Sequence, residues 1–180
     1  IVPENAKDLT KGGIDLKLLE KQLKFYTSTH MKYKYNLIIG SFAAANNING
    51  IINPIDETTE LLHKYGALSF WDYDIAGSYL DINMTNANNP MLSKDAVFIS
   101  PHKFLAGPGS PGILCAKQNL FQNWVPVIPG NGSLFTDFGL DDGEWEYLDN
   151  VEEREEAGTP HILGSIRAAF AFIMKDNLSV

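Results

Sequence analysis

The chain has 180 residues, a formal net charge of −8 and a single cysteine. This length suits one domain, or one large piece of a bigger one. The negative charge argues against a nucleic-acid binder, which presents a basic face. One cysteine excludes an internal disulfide and is typical of a reducing compartment, so we expect an intracellular location, cytoplasmic or in an organellar matrix. No apolar run has the length of a membrane span, and no residue spacing predicts a metal site.

Apolar periodicity predicts a chain of alternating helices and strands. Helices are expected at 14–26, with Asp15 as a possible cap, and at 54–65 and 165–175. Strands are expected at 35–42, 67–71, 96–100 and 112–116. Strands that alternate with a helix indicate βαβ units, so the pattern favours an α/β fold with a mainly parallel sheet.

Polar residues follow three of these strands. In open α/β sheets, ligands usually bind outside the carboxyl ends of the strands. The first strand is followed by three amides, those of Asn46, Asn47 and Asn49. The second is followed by two carboxylates, those of Asp72 and Asp74. The third is followed by the hydroxyl of Ser100, the imidazole of His102 and the amine of Lys103. We therefore expect a small-molecule site at this edge.

The amine of Lys103 is the informative member of this set. A lysine in a partly dry site gives up its proton more readily and can form a Schiff base with an aldehyde. Pyridoxal phosphate also requires an anion at its ring nitrogen, and donors for its phosphate and ring oxygen. The residues available for these roles, in turn, are Lys103, Asp72, Ser100 with His102, and Asn47.

Four segments, in chain order, strengthen this interpretation. They are NNINGIINPIDETTELLHKYGALSFWDY, DAVFISPHKFLAGPGSPGILCAK, PGNGSLF and EEREEAGTPHILGSIRAAFAF. The second contains Ser-x-His-Lys followed by Gly-Pro, and the fourth contains Gly-Thr-Pro before a helix. Together they resemble the class V aminotransferase group of fold-type I pyridoxal-phosphate enzymes, which contains cysteine desulfurases, selenocysteine lyases and kynureninases.

The resemblance implies a three-layer α/β sandwich, the large domain of a pyridoxal-phosphate-dependent transferase. It implies that Lys103 is the catalytic residue, which carries the internal aldimine and moves the proton on the substrate α-carbon. Asp72 would pair with the pyridinium nitrogen, and Asn47 would lie near the ring oxygen or the substrate carboxylate. Ser100 and His102 would bind phosphate.

The resemblance also implies a homodimer, because family sites lie at a subunit interface. Ser133, with Gly132, would reach the phosphate bound by the partner subunit. We expect Asp74 to be structural, because the family pattern places only Asp72 at the ring. Cys115 lies in an apolar strand, and we expect it to be a small buried side chain.

The resemblance covers most of residues 1–180 and implies a partial large domain, without the upstream phosphate loop and the downstream small domain of a full family member. Two hypotheses follow. The chain is a segment of an enzyme that acts on an amino acid, by lyase or desulfurase-like chemistry or by transamination. Alternatively, it is an inactive fragment of that fold, used as a binding or structural protein. The sequence leaves the substrate open.

Overall fold

The computed structural model describes residues 12–28, 37–129, 133–135, 146–156 and 158–178. The helices are α1 (Leu16–Tyr26), α2 (Ile55–Lys64), α3 (Val151–Glu155) and α4 (Ile162–Leu178). The strands are β1 (Ile39–Ala43), β2 (Leu68–Asp72), β3 (Ala96–Ile99), β4 (Ile113–Ala116), β5 (Leu134–Phe135) and β6 (Glu146–Tyr147). None of the helices in these ranges has the length and apolar character needed to cross a membrane.

The main sheet has four strands in the order β1-β2-β3-β4. The first two pairs are parallel and β3–β4 is antiparallel, which confirms the expected α/β fold with a mainly parallel sheet. In this register Ala43 lies beside Asp72, and Asp72 lies beside Phe98. The carboxyl ends of β1, β2 and β3 therefore meet at one edge. β5 and β6 form a separate antiparallel pair.

Local hydrogen bonds explain where the helices begin. Asp15 caps α1, because its carboxylate accepts from the backbone N–H groups of Lys17 and Leu18. α4 begins earlier than predicted, at Ile162. The ring nitrogen Nδ1 of His161 accepts from the backbone of Gly164 at 2.7 Å and so caps the first turn. The sequence pattern did not reveal this cap because histidine is not a usual N-cap residue.

The core lies between one face of the sheet and the helices α1, α2 and α4. Trp71 is fully buried, and its Nε1 donates to the hydroxyls of Thr59, at 2.9 Å, and Ser69, at 2.8 Å. A Cβ atom on Gly40 would lie 2.5 Å from Leu62, so only glycine lets α2 approach β1 this closely. The packing of α2 against the sheet fixes the positions of the strand ends, and the candidate site lies at these ends.

The opposite face of the sheet is open to solvent at several apolar side chains. Ile39, Phe98 and Leu114 share this face by register and are 44%, 41% and 52% exposed, respectively. The described residues leave these side chains uncovered. A second helical layer of the expected sandwich would lie on this face.

Candidate functional site

A cleft of about 290 Å³ lies where β1 and β2 end. Its polar lining consists of Asn46, Asn47, Asn53, Asp72 and Asp74. Wider clefts of about 640 and 770 Å³ lie beside the start of α2 and along β4. The smaller cleft is the candidate site, because the polar residues that follow the first two strands meet there.

A tight turn after β1 places Asn47. The side chain of Asn46 accepts from the backbone of Ile48 at 2.8 Å, and the backbone N–H of Gly50 donates to the carbonyl oxygen of Asn46 at 2.9 Å. Gly50 has φ = +71°, which favours glycine. Asn46 thus makes the turn, and Asn47 lies exposed at its corner on the cleft wall.

Asn53 connects this wall of the cleft to the rest of the fold by hydrogen bonds. The sequence did not indicate this role. Its Oδ1 accepts from the backbone of Ile14 at 2.9 Å. Its Nδ2 donates to the carbonyl oxygen of Ala43 at 2.7 Å. Asn53 therefore links the segment before α1 to the end of β1.

Asp72 is the last residue of β2, and one of its two carboxylate oxygens accepts a hydrogen bond from the described residues. Its Oδ1 accepts from the backbone N–H of Asp74 at 2.7 Å. Its Oδ2 has no donor among the residues that the structure describes. Asp72 therefore has one carboxylate oxygen that fixes its orientation and one that is available to a cationic or N–H group.

Lys103 lies on a single 3₁₀ turn, Pro101–Lys103, that directly follows β3 and Ser100. Pro101 and Phe104 flank His102 and Lys103 in the chain, and both are buried. The ring of Phe104 packs edge-on against Phe172 of α4, with 5.0 Å between ring centroids. His102 and Lys103 are therefore exposed residues on a turn that is fixed at both ends.

Asp74 connects Lys103 to the cleft. The Nζ of Lys103 donates to Oδ2 of Asp74, and the side chain of Ser100 also hydrogen-bonds to this carboxylate. The hydrogen bond from Lys103, and then the one from Ser100, hold the pKa of Asp74 below its ordinary value. We expected Asp74 to be structural, but it contacts Lys103 directly.

Ser133 lies apart from this group. It is fully buried beside β5, its carbonyl oxygen accepts from the backbone of Leu148, and it does not line the cleft. Gly132 lies outside the described residues. The structure thus brings together Asn47, Asp72 and Asp74, with Ser100 and Lys103 held through Asp74, and it does not bring Ser133 to them. His102 lies near Asp74, and its charge also lowers the pKa of that carboxyl group.

The expectation that Cys115 is buried was wrong. The cysteine is exposed and lines the cleft along β4. β4 pairs only with β3 among the described strands, so an apolar run did not imply burial there. Within the described ranges, no group of three or more His, Cys, Asp or Glu side chains is placed to hold a metal ion.

Comparison with known proteins agrees with this fold. Residues 9–179 match the family model described as aminotransferase class-V. A probable cysteine desulfurase of Chlamydia muridarum is 30% identical over 154 residues, which cover 86% of this chain and 34% of the relative. One from Halalkalibacterium halodurans is 32% identical over 121 residues, 67% of this chain and 27% of the relative. The chain belongs to the aminotransferase class-V family.

Solved structures show the same architecture. The apo cysteine desulfurase of Thermococcus onnurineus superimposes with a TM-score of 0.68 at 23% identity, covering 93% of this chain and 37% of that one. A NifS-like protein from Rickettsia africae gives 0.67 at 24% identity, with 94% and 38% covered. The chain spans about a third of the length of the curated relatives it matches.

Proposed function

We propose that the chain is the lysine-bearing part of a pyridoxal-phosphate-dependent enzyme that acts on an amino acid. Family membership supports the cofactor class. The curated relatives are described as cysteine desulfurases, so cysteine is the first substrate to test and cleavage of its C–S bond the first reaction. The chain covers only part of these relatives, so the site would be completed by further protein.

The residues around the cleft suit this cofactor. When bound, pyridoxal phosphate supplies an electron sink for carbanions at the substrate α-carbon. Asp72 offers an oxygen with no donor among the described residues, which suits a protonated ring nitrogen. The exposed amide of Asn47 stands on the same cleft wall and can donate to a ring oxygen or a carboxylate.

Lys103 is the proposed catalytic residue. Its amine would bond the carbonyl carbon of the cofactor and later move a proton at the substrate α-carbon. Ser100 and His102, on the same turn, would bind phosphate. Ser133 is fully buried and lies apart from them. The family resemblance alone supports the proposal that it serves the site of a partner subunit in a homodimer.

One observation carries the proposal: the amine of Lys103 lies on the carboxylate of Asp74, whose backbone N–H is bonded to the carboxylate of Asp72. A lysine and a partly free carboxylate at neighbouring strand ends form the minimum pair that this chemistry needs. Neither residue is far from the core, since β2 and β3 both pass through it.

The decisive experiment is to incubate the intact protein with pyridoxal phosphate, record the visible absorbance, reduce with borohydride and map the labelled peptide. We expect a yellow protein that bleaches on reduction and carries the label at Lys103. A Lys103→Ala variant should lose the label, while Lys21→Ala, at an exposed position on α1, should keep it. A protein that stays colourless and unlabelled contradicts the proposal and favours a binding or structural role.

The loaded protein would then distinguish the possible reactions. Alanine formed from L-cysteine without an acceptor keto acid would indicate C–S cleavage. Amino transfer to an added keto acid would indicate transamination. Either activity should disappear in Lys103→Ala and persist in Lys21→Ala.

A further inference from the structure

Asp74 holds two of the groups that the proposed function needs. Its carboxylate binds the amine of Lys103 and the hydroxyl of Ser100. The amine is the proposed attachment point of the cofactor, and the hydroxyl is a proposed phosphate ligand. An anionic side chain of the protein therefore occupies both groups in the cofactor-free chain.

The charged groups nearby identify Lys103 and Asp74 as an ion pair. Because the hydrogen bonds from Lys103 and Ser100 lower the pKa of Asp74, its carboxyl group is ionised at neutral pH. His102, on the same turn, makes a smaller contribution that lowers the pKa of Asp74 further. On α4, which packs against this turn, Arg167 donates to the carbonyl oxygen of Pro108 and Lys175 to that of Leu80. These two cations thus have other acceptors.

Asp72 is the other nearby carboxylate, and its Oδ1 accepts a hydrogen bond from the backbone N–H of Asp74. Among the described residues, Asp74 is therefore the acidic partner of the Lys103 amine. The contact is half-exposed, since the side chains of Lys103 and Asp74 are 38% and 35% exposed, respectively. Solvent and a ligand can reach it.

We propose that Asp74 is a positioning residue that holds the amine of Lys103 and the hydroxyl of Ser100 until the cofactor displaces it. The inference rests on the proposed function and adds a residue to its site. Attack on an aldehyde requires that the ammonium of Lys103 first releases a proton. The nitrogen then bonds the carbonyl carbon and the oxygen leaves as water, with no oxidant or reductant involved.

Two consequences follow for loading. The hydrogen bond to Asp74 occupies the amine of Lys103 and must break before the amine can attack, so it slows attachment. It also competes with the phosphate of the cofactor for the hydroxyl of Ser100, because both are oxyanions. In return, it keeps Lys103 directed at the cleft rather than into solvent.

The test uses trace acetylation of the intact, cofactor-free protein with acetic anhydride, followed by peptide mass mapping. The measured quantity is the labelling of Lys103 relative to Lys21, an exposed lysine on α1. Asp74→Asn should raise this ratio about two- to fivefold near neutral pH, as expected from the loss of a partly exposed ion pair. The increase should be smaller at high salt, which screens the ion pair in the wild type.

Three controls make the result specific. Asp74→Glu keeps the charge and should label like the wild type. Asp81→Asn removes an exposed negative charge outside this contact and should change nothing. In the wild type itself, added salt should raise the ratio, because salt screens the pair, and in Asp74→Asn it should leave the ratio unchanged. Because this last measurement can be made on the wild type alone, it tests the inference even if a variant does not fold.

An unchanged ratio in Asp74→Asn, or an increase of the same size at low and high salt, would overturn the inference, since a merely structural effect does not depend on screening of the pair. Loading with pyridoxal phosphate separates the two proposals. Wild type that attaches the cofactor at Lys103, with Asp74→Asn attaching it no faster, overturns the role of Asp74 alone. Wild type that attaches none overturns the proposed function and this inference with it.

Discussion

His63 and Asp95 are joined by a hydrogen bond of 2.8 Å between Nε2 of the imidazole and Oδ2 of the carboxylate. Asp95 also accepts from the backbone of Ser69 at 2.8 Å and from Nζ of Lys117 at 2.7 Å. Nδ1 of His63 lies 2.7 Å from the carbonyl oxygen of Met91. Both ring nitrogens of His63 therefore lie within hydrogen-bond distance of an oxygen atom.

Replacing Asp95 should destabilise the protein in a pH-dependent way. Burial alone would raise the pKa of Asp95, but the hydrogen bonds from Lys117, the Ser69 backbone and His63 together outweigh it and lower that pKa. A lowered pKa gives stability that is present above the unfolded-state value and is lost as the pH falls through the folded-state value. Asp95→Asn should therefore cost about 3 kcal/mol at neutral pH and less below about pH 4.

Urea unfolding of both proteins across this pH range measures the difference. Asp81→Asn, at an exposed carboxylate outside this cluster, is the control and should be nearly neutral. A loss that stays constant down to acidic pH would contradict the electrostatic account of Asp95.

Neighbouring threonines on α2 should respond oppositely to the same substitution. Thr58 and Thr59 are both fully buried. The hydroxyl of Thr59 bonds Trp71 and Ser69, whereas that of Thr58 has no partner among the described residues. Thr59→Val should cost about 1 kcal/mol, and Thr58→Val should be neutral or stabilising, because it removes an unsatisfied buried hydroxyl. The free energies of unfolding, compared side by side, give the answer; equal losses would contradict it.

The turn that carries Lys103 should not tolerate a side chain at Gly107. A Cβ atom there would lie 1.8 Å from the carbonyl oxygen of Pro101, a backbone atom that cannot move aside cheaply. Gly107→Ala should therefore cost roughly 2 kcal/mol or more and weaken labelling of Lys103 by pyridoxal phosphate. Gly112→Ala is the matched control, since its Cβ would meet its nearest atom at 3.8 Å. If both variants behaved alike, this steric account would be wrong.

Tyr73 should make the fold sensitive to alkali. Burial, with a smaller effect of Asp56, raises the pKa of Tyr73 to about 12 from an ordinary value of 10.0. A raised pKa means stability that is complete below the unfolded-state value and is lost as the pH rises towards the folded-state value. Tyr73→Phe should remove a loss of up to about 2 kcal/mol between these limits, measured by urea unfolding. Tyr79→Phe, at a side chain that is 66% exposed, should leave the loss intact.

Local patterns were enough to predict the elements that position the site. Apolar runs located β1, β2 and β3, and the cap at Asp15 followed from residue type. The alternation of side chains along an extended chain also puts Asp72 and Asp74 on one side, so this spacing held a signal for the Lys103 contact. We assigned Asp74 a structural role because the family pattern gave it none.

Contacts between residues far apart in the sequence could not be predicted from the sequence alone. The bond from Ile14 to Asn53 spans 39 residues, and the bond from His63 to Asp95 spans 32. Such pairs depend on how α1 and α2 pack against the sheet, which no local pattern specifies. The exposure of Cys115 likewise depends on which strands flank β4.

β3 separates an ion cluster that stabilises the fold from the candidate site. Asp95, just before the strand, belongs to the ion cluster that ties α2 to the sheet, and Ser100, just after it, belongs to the candidate site. Five residues of extended chain hold these positions roughly 16 Å apart. Substitutions at such a separation usually add independently. The chemistry at one end of the strand can therefore diversify during evolution while the other end preserves the fold.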